Sequence, residues 1–159
     1  MRLGRTIHTV ALLAGLTIVT GTKGTRAEQA SGDEGVKAVE AAFYAALSAR
    51  DIHAMENVWA REPYIVAVHP VSKMPNIGWA AVRKSFEAVF DRYSELSVSP
   101  KEPHLHIEQG VAWDVGSESV RGRLKNGDSV SFTNLMTNIF EKQGDHWVMV
   151  EHHASRMPE

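Results

Sequence analysis

Apolar positions recur at helical spacing through the first half of the chain and alternate with polar ones through most of the second. Val36, Val39, Phe43, Ala46 and Leu47 form one stripe, predicting a helix over 36–50 with Asp33 as its cap. Asp51 is placed to cap a second, short helix over 52–60, with Ile52, Met55 and Trp59 on one face and Pro63 beyond its end. Residues 64–69 read as a short apolar strand ending at Pro70, and 71–78 as a loop. Trp79, Val82, Phe86, Val89, Phe90 and Tyr93 give a third helix over 79–93. Strand-like runs follow at 94–99, 105–109, 111–125, 129–142 and 146–154. The first two are separated by a proline-containing interruption, and Gly110 and Asn126-Gly127-Asp128 mark turns. Helices first and antiparallel strands after them predict an α+β fold. Its N-terminal helices pack in a curved antiparallel sheet and leave a conical cavity between.

The stretch 132–155 carries the most specific pattern. Phe132, Asn134, Met136, Asn138 and Phe140 share one parity; Trp147, Met149, Glu151 and His153 share another, across a Gly144-Asp145 turn. Gly at the first loop position suits a two-residue hairpin turn. That turn sets Phe140 against Met149, Asn138 against Glu151 and Met136 against His153. Opposed residues share a face. One wall would then carry large apolar groups with Asn134, Asn138, Glu151 and His153 among them, as a small-molecule pocket requires. A three-residue loop would exchange the faces of the second run and turn His152 inward instead.

Composition adds a leader. Arg2 and Arg5 precede the apolar run 10–19, and the small-residue site Thr25-Arg26-Ala27 follows. That order is a secretory signal peptide over 1–27, with a cleaved, periplasmic or secreted product; the run is too short for a membrane anchor. Residues 28–32 read as a flexible lead and 33–156 as the domain. Removing 1–27 takes away four basic and no acidic residues, leaving 13 basic against 19 acidic side chains, a formal charge of -6. There is no Cys, hence no disulfide. No basic stripe points to nucleic acid, and no membrane association is expected after cleavage. The long strands carry apolar residues of both parities, so the outer sheet face is expected to pair in a homodimer.

The candidate chemistry is acid–base. His69 ends a strand, and histidine is the natural proton carrier near neutral pH. Asn134 and Asn138 sit on a strand where Asn is disfavoured, so each must answer a neighbouring group or a ligand. Glu151 and His153 are placed to form a carboxylate–imidazole pair. Trp59, Trp79, Trp113 and Met136 are candidate cavity walls. Tyr44 falls off the first helix's apolar stripe, and Asp114 lies on the opposite parity from Trp113, so neither is expected in the cavity. His104-x-His106 and His152-His153 lack an evident third ligand, and no metal or cofactor is expected.

The order of elements resembles the SnoaL-like branch of the nuclear transport factor 2 superfamily over about residues 33–156. The matching residues are the Phe43 helix, 51–55 followed by Trp59, His69-Pro70, Gly78-Trp79, 111–113, 137–140, and Trp147 followed by 152–155. The resemblance implies the cone fold. It also implies either a small-molecule enzyme of isomerase, dehydratase or cyclase type, or a ligand-binding or association module. Its ligand would be a small apolar or partly polar molecule. His69, Asn138, His153 and Glu151 are the expected catalytic set, with Trp59, Trp79, Trp113, Asn134 and Met136 binding ligand.

Overall fold

The computed structural model describes residues 26–158. The signal-peptide reading of 1–27 lies almost wholly outside them. Helix α1 spans Arg26–Ala49, so the stretch expected as a flexible lead is helical. Val36, Phe43, Ala46 and Leu47 are buried as the stripe predicts, and Tyr44 is buried with them. Helix α2 is only Ile52–Glu56, capped by Asp51, whose Oδ1 accepts the backbone N–H groups of His53 and Ala54 at 2.9 and 3.0 Å. It stops before Trp59. Val58 and Ala60 instead exchange backbone hydrogen bonds with Met149, of 2.9 and 3.0 Å.

Strand β1 is Val66–Val68, and β2, Asn76–Ile77, pairs back on it inside the expected loop. Asn76 Nδ2 ties the pair by donating to the Ala67 carbonyl at 3.0 Å. Helix α3, Trp79–Arg92, buries Val82, Phe86 and Phe90. Strands β3 (Tyr93–Glu108), β4 (Val111–Leu124), β5 (Ser129–Gln143) and β6 (His146–Arg156) complete one curved six-stranded sheet in the order β2-β1-β6-β5-β4-β3. β1 runs parallel to β6, so the sheet is mixed rather than wholly antiparallel. β3 is continuous where an interruption was expected. It is an edge strand, where proline costs no ladder bond, and a register shift between Lys101 and His104 absorbs Pro103.

The helices lie in the hollow of the sheet. Phe43 is the hub: its ring meets those of Tyr44, Trp59 and Phe86 edge-on at 5.1, 6.4 and 6.0 Å. Fully burying a side chain of this size contributes about 1.5–3 kcal/mol.

The last hairpin departs from expectation in one residue. Its turn is the two-residue one: Gln143 pairs with His146, Lys142 with Trp147 and Phe140 with Met149, and Gly144 takes φ 61°. Then Ile139 pairs with Glu151, so Val150 is an extra residue, a β-bulge. Beyond it Asn138 pairs with His152 and Met136 with Ala154, not with Glu151 and His153. A one-residue slip exchanges the faces of everything downstream. His152 is therefore buried and His153 exposed.

Candidate functional site

The cone encloses a cavity of about 150 Å³. Leu47, Phe86, Val98, Val120 and Phe132 give its apolar wall, and His69, His152, Glu118 and Asn134 its polar one. A cavity of this size is on the scale of a single six-membered ring.

His69 shares the inward parity of Ala67, one step past β1. Its backbone is fixed by a reciprocal turn: its N–H donates to Ser72 Oγ at 2.9 Å, and the Ser72 N–H donates to its carbonyl at 2.8 Å. Ser85 Oγ gives its own proton to the Val82 carbonyl at 2.7 Å and lies 2.8 Å from His69 Nε2. The hydroxyl proton being used, Nε2 must donate, which assigns the tautomer and leaves the Nδ1 lone pair as the basic atom. Burial, then the neighbouring His152, push His69 down to about 4, so the ring is neutral at ordinary pH.

His152 stands 6.5 Å from His69, ring centre to ring centre, and packs on Phe43 at 4.8 Å. Its Nδ1 is 2.8 Å from Asn138 Oδ1, and the Asn138 Nδ2 side donates to Glu40 at 3.2 Å and Tyr44 at 3.5 Å. With the amide oxygen facing the imidazole, His152 donates through Nδ1. Burial, then His153, hold His152 down to about 3.

Behind the histidines runs a polar layer. Across β4 and β5, Asp114 pairs with Asn138 and Glu118 with Asn134; all four are buried, and α1 presents Glu40 and Tyr44 to them. Asn134 Nδ2 donates to Glu118 Oε1 at 2.8 Å. Burial raises Glu118. Burial, then the adjacent Asp114 carboxyl, push Glu40 up to about 8. Neither Asp114 oxygen has a donor in hydrogen-bonding geometry, nor do Glu118 Oε2 and Asn134 Oδ1. The Glu40 carboxyl stands beside Asp114 and, raised by burial and by that neighbour, keeps its proton at neutral pH.

Of the expected site residues, His69 and Asn134 line the cavity and Asn138 stands directly behind it. His153 faces out through the other side of the sheet, so the expected meeting of His69 with His153 is refuted and His152 takes its place. Glu151 is half-buried beside Ile139 on that outer face and forms no pair with His153. Trp59 is core, its Nε1 against Met55 Sδ at 3.3 Å. Trp79 starts α3 under the Arg61 guanidinium, and Trp113 is 38% exposed, stacked on His106 at 4.4 Å. Met136 is buried without lining the cavity.

Taking Trp113 as the inward residue of β4 is what hid Asp114 and Glu118. Ala112, Asp114, Glu118 and Val120 are the buried parity. Glu40 and Tyr44, one turn apart, flank the helical stripe closely enough to have been found by the same test. Among the described residues no group of three or more His, Asp or Glu side chains is placed to hold a metal ion.

The family described as SnoaL-like domain matches residues 36–159. A solved structure from Streptomyces avermitilis, proposed to be a dehydratase of the NTF2-like family, is 21% identical with a TM-score of 0.72, covering 80% of this chain and 97% of that one. A proposed calcium/calmodulin-dependent protein kinase type II association domain from Thiobacillus denitrificans is 29% identical with a TM-score of 0.67, covering 77% of this chain and 94% of that one. F-box protein SKIP8 of Arabidopsis thaliana is 26% identical over 143 residues, 90% of this chain. The chain spans only 57% of that relative's length.

Proposed function

The chain belongs to the SnoaL-like domain family, and on that premise we propose that it is an exported small-molecule enzyme of isomerase, dehydratase or cyclase type. The observation that carries this reading is the pair of buried neutral imidazoles, His69 and His152, 6.5 Å apart beside one apolar cavity. All three reaction types begin by taking a proton from a carbon next to an electron-withdrawing group. His69 Nδ1 is the base. Charge then develops on the substrate oxygen. Glu118, raised by burial and lining the same cavity, is the group assigned to meet it. A negative charge forming in the cavity favours the imidazolium and draws the His69 pKa back upward during the step. His152, held by Asn138, completes the polar wall that orients the substrate.

Deuterium incorporation into small cyclic ketones in heavy water tests the reading without knowledge of the substrate. Wild-type protein should catalyse exchange, and His69→Gln should lower it by about 10² or more. Exchange no faster than buffer, or a His69→Gln variant as fast as wild type, overturns it.

A second reading, an association module, is favoured by the outer sheet face. Trp113, Val115 and Leu135 are 38, 46 and 51% exposed there, with His106 stacked on the indole. This patch supports a homodimer through the sheet, which sedimentation at micromolar protein checks; a monomer counts against it. Export rests on the Arg-flanked apolar run before Ala27. Intact mass of exported material should begin near Glu28, and a mature chain retaining Met1 sinks that part.

A further inference from the structure

We infer that the cavity takes a small carboxylic acid, a single ring or short branched chain carrying an oxo or hydroxy group, with its carboxylate held by Arg92 and Arg156. The inference rests on the cavity being a ligand site, as the proposed function has it, and adds the charge and size of what enters.

Both arginines line the same cavity as His69 and His152. Arg92 comes from the last turn of α3, and Arg156 from the end of β6 on the inward parity of His152 and Ala154. Arg83 is bound to Glu56 and Glu87, and Arg61 to Glu56, both away from the cavity. Among the described residues Arg92 and Arg156 are in no salt bridge. A helix C-terminus by itself favours a cation and so accounts for Arg92. It does not account for Arg156, whose guanidinium carbon lies over the Phe132 ring, 3.9 Å from its centre. A guanidinium seated on a ring keeps N–H donors at its edge, which suits a carboxylate.

Among the described residues the one acidic side chain lining the cavity, Glu118, is already bonded to Asn134. Val120, Val130 and Phe132 add apolar wall to the same cavity. An occupant therefore meets cationic, apolar and hydrogen-bonding groups together. The volume of about 150 Å³ limits its apolar part to roughly one ring.

Calorimetry with 3-oxocyclohexane-1-carboxylate, its carboxamide and phenyl phosphate decides the matter on the whole protein. The acid should bind at least about tenfold tighter than the amide, the scale of one charge-assisted hydrogen bond. Arg156→Gln and Arg92→Gln should each remove about that preference and leave amide binding unchanged, while Arg156→Lys retains part of it. Both arginines are exposed, and thermal melts of the variants confirm the fold. Equal binding of acid and amide, tighter binding of phenyl phosphate, no binding of any of the three, or a preference that survives both substitutions overturns the inference. Affinity is read without turnover. Acid preference with no deuterium exchange therefore refutes the enzyme reading alone, and exchange without acid preference refutes this one alone.

Discussion

The His152 imidazole faces the Asn138 amide across the β5–β6 pair, with Nδ1 2.8 Å from Oδ1. That contact exists because Val150 is an extra residue in β6. It couples the cavity wall to the layer of Glu40, Tyr44 and Asp114 behind it, through the two donors of the same amide.

Removing the imidazole leaves a buried amide oxygen without its donor. His152→Ala should cost about 1–3 kcal/mol from that loss, with further loss from the space opened against Phe43. The exposed neighbour is the control: His153→Ala should stay within about 0.5 kcal/mol. Denaturant unfolding of the two variants checks the contrast, and equal losses would show that the bulge is misplaced.

Deleting Val150 should close the bulge into an unbroken ladder and keep Glu151 opposite Ile139 and His152 opposite Asn138, so that His152 stays inward and His153 outward. Nitrogen-detected histidine titration reads this directly. In wild type His152 resists protonation down to about pH 3. In the deletion variant that resistance should stay with His152. A variant in which His152 loses it would mean that Val150 is not the extra residue of β6.

Stability should fall toward acid on account of the histidines. His69 and His152 have ordinary values of 6.5 and folded values of about 4 and 3. The unfolded chain takes up their protons first, so their contribution is complete above about 6.5 and is lost as pH falls toward 4 and below. Melting temperature against pH should show this limb, and His69→Gln should flatten it.

Glu40 acts in the opposite sense. Its ordinary 4.5 is raised to about 8, so the folded state holds the proton longer than the unfolded one. Its contribution is complete below 4.5 and is lost as pH rises through 8. Glu40→Gln, which keeps the shape without the titration, should flatten the alkaline limb of the same melting series. An unchanged limb would show that Glu40 does not hold its proton in the folded state.

Gly122 is constrained by the backbone of β3. A Cβ there would lie 2.6 Å from the Glu95 carbonyl oxygen, a contact no side-chain rotation relieves. Gly122→Ala should cost about 1–3 kcal/mol, the usual range for overpacking. Gly127→Ala meets no atom within 4 Å and pays only for its φ of +97°. Urea midpoints of the pair separate the two effects.

Sequence alone determined the main helices and the long strands, because periodicity is a local property: the stripe of Phe43 and Leu47, that of Val82, Phe86 and Phe90, and the alternation from Asn134 to Phe140 all lie where the pattern put them. It determined the Gly144-Asp145 turn, since a tight turn with positive φ selects glycine locally. It placed His69, Asn134 and Asn138 on the inward side for the same reason. What it could not decide depends on distant partners. The bulge at Val150 is a property of how β6 fits both β5 and β1, and it alone chose His152 over His153. The inward parity of β4 was settled by helix α1, which offers Glu40 and Tyr44 to Asp114 and Glu118 and leaves Trp113 to the outer face. A strand with candidate residues on both sides has no inside until something packs against it.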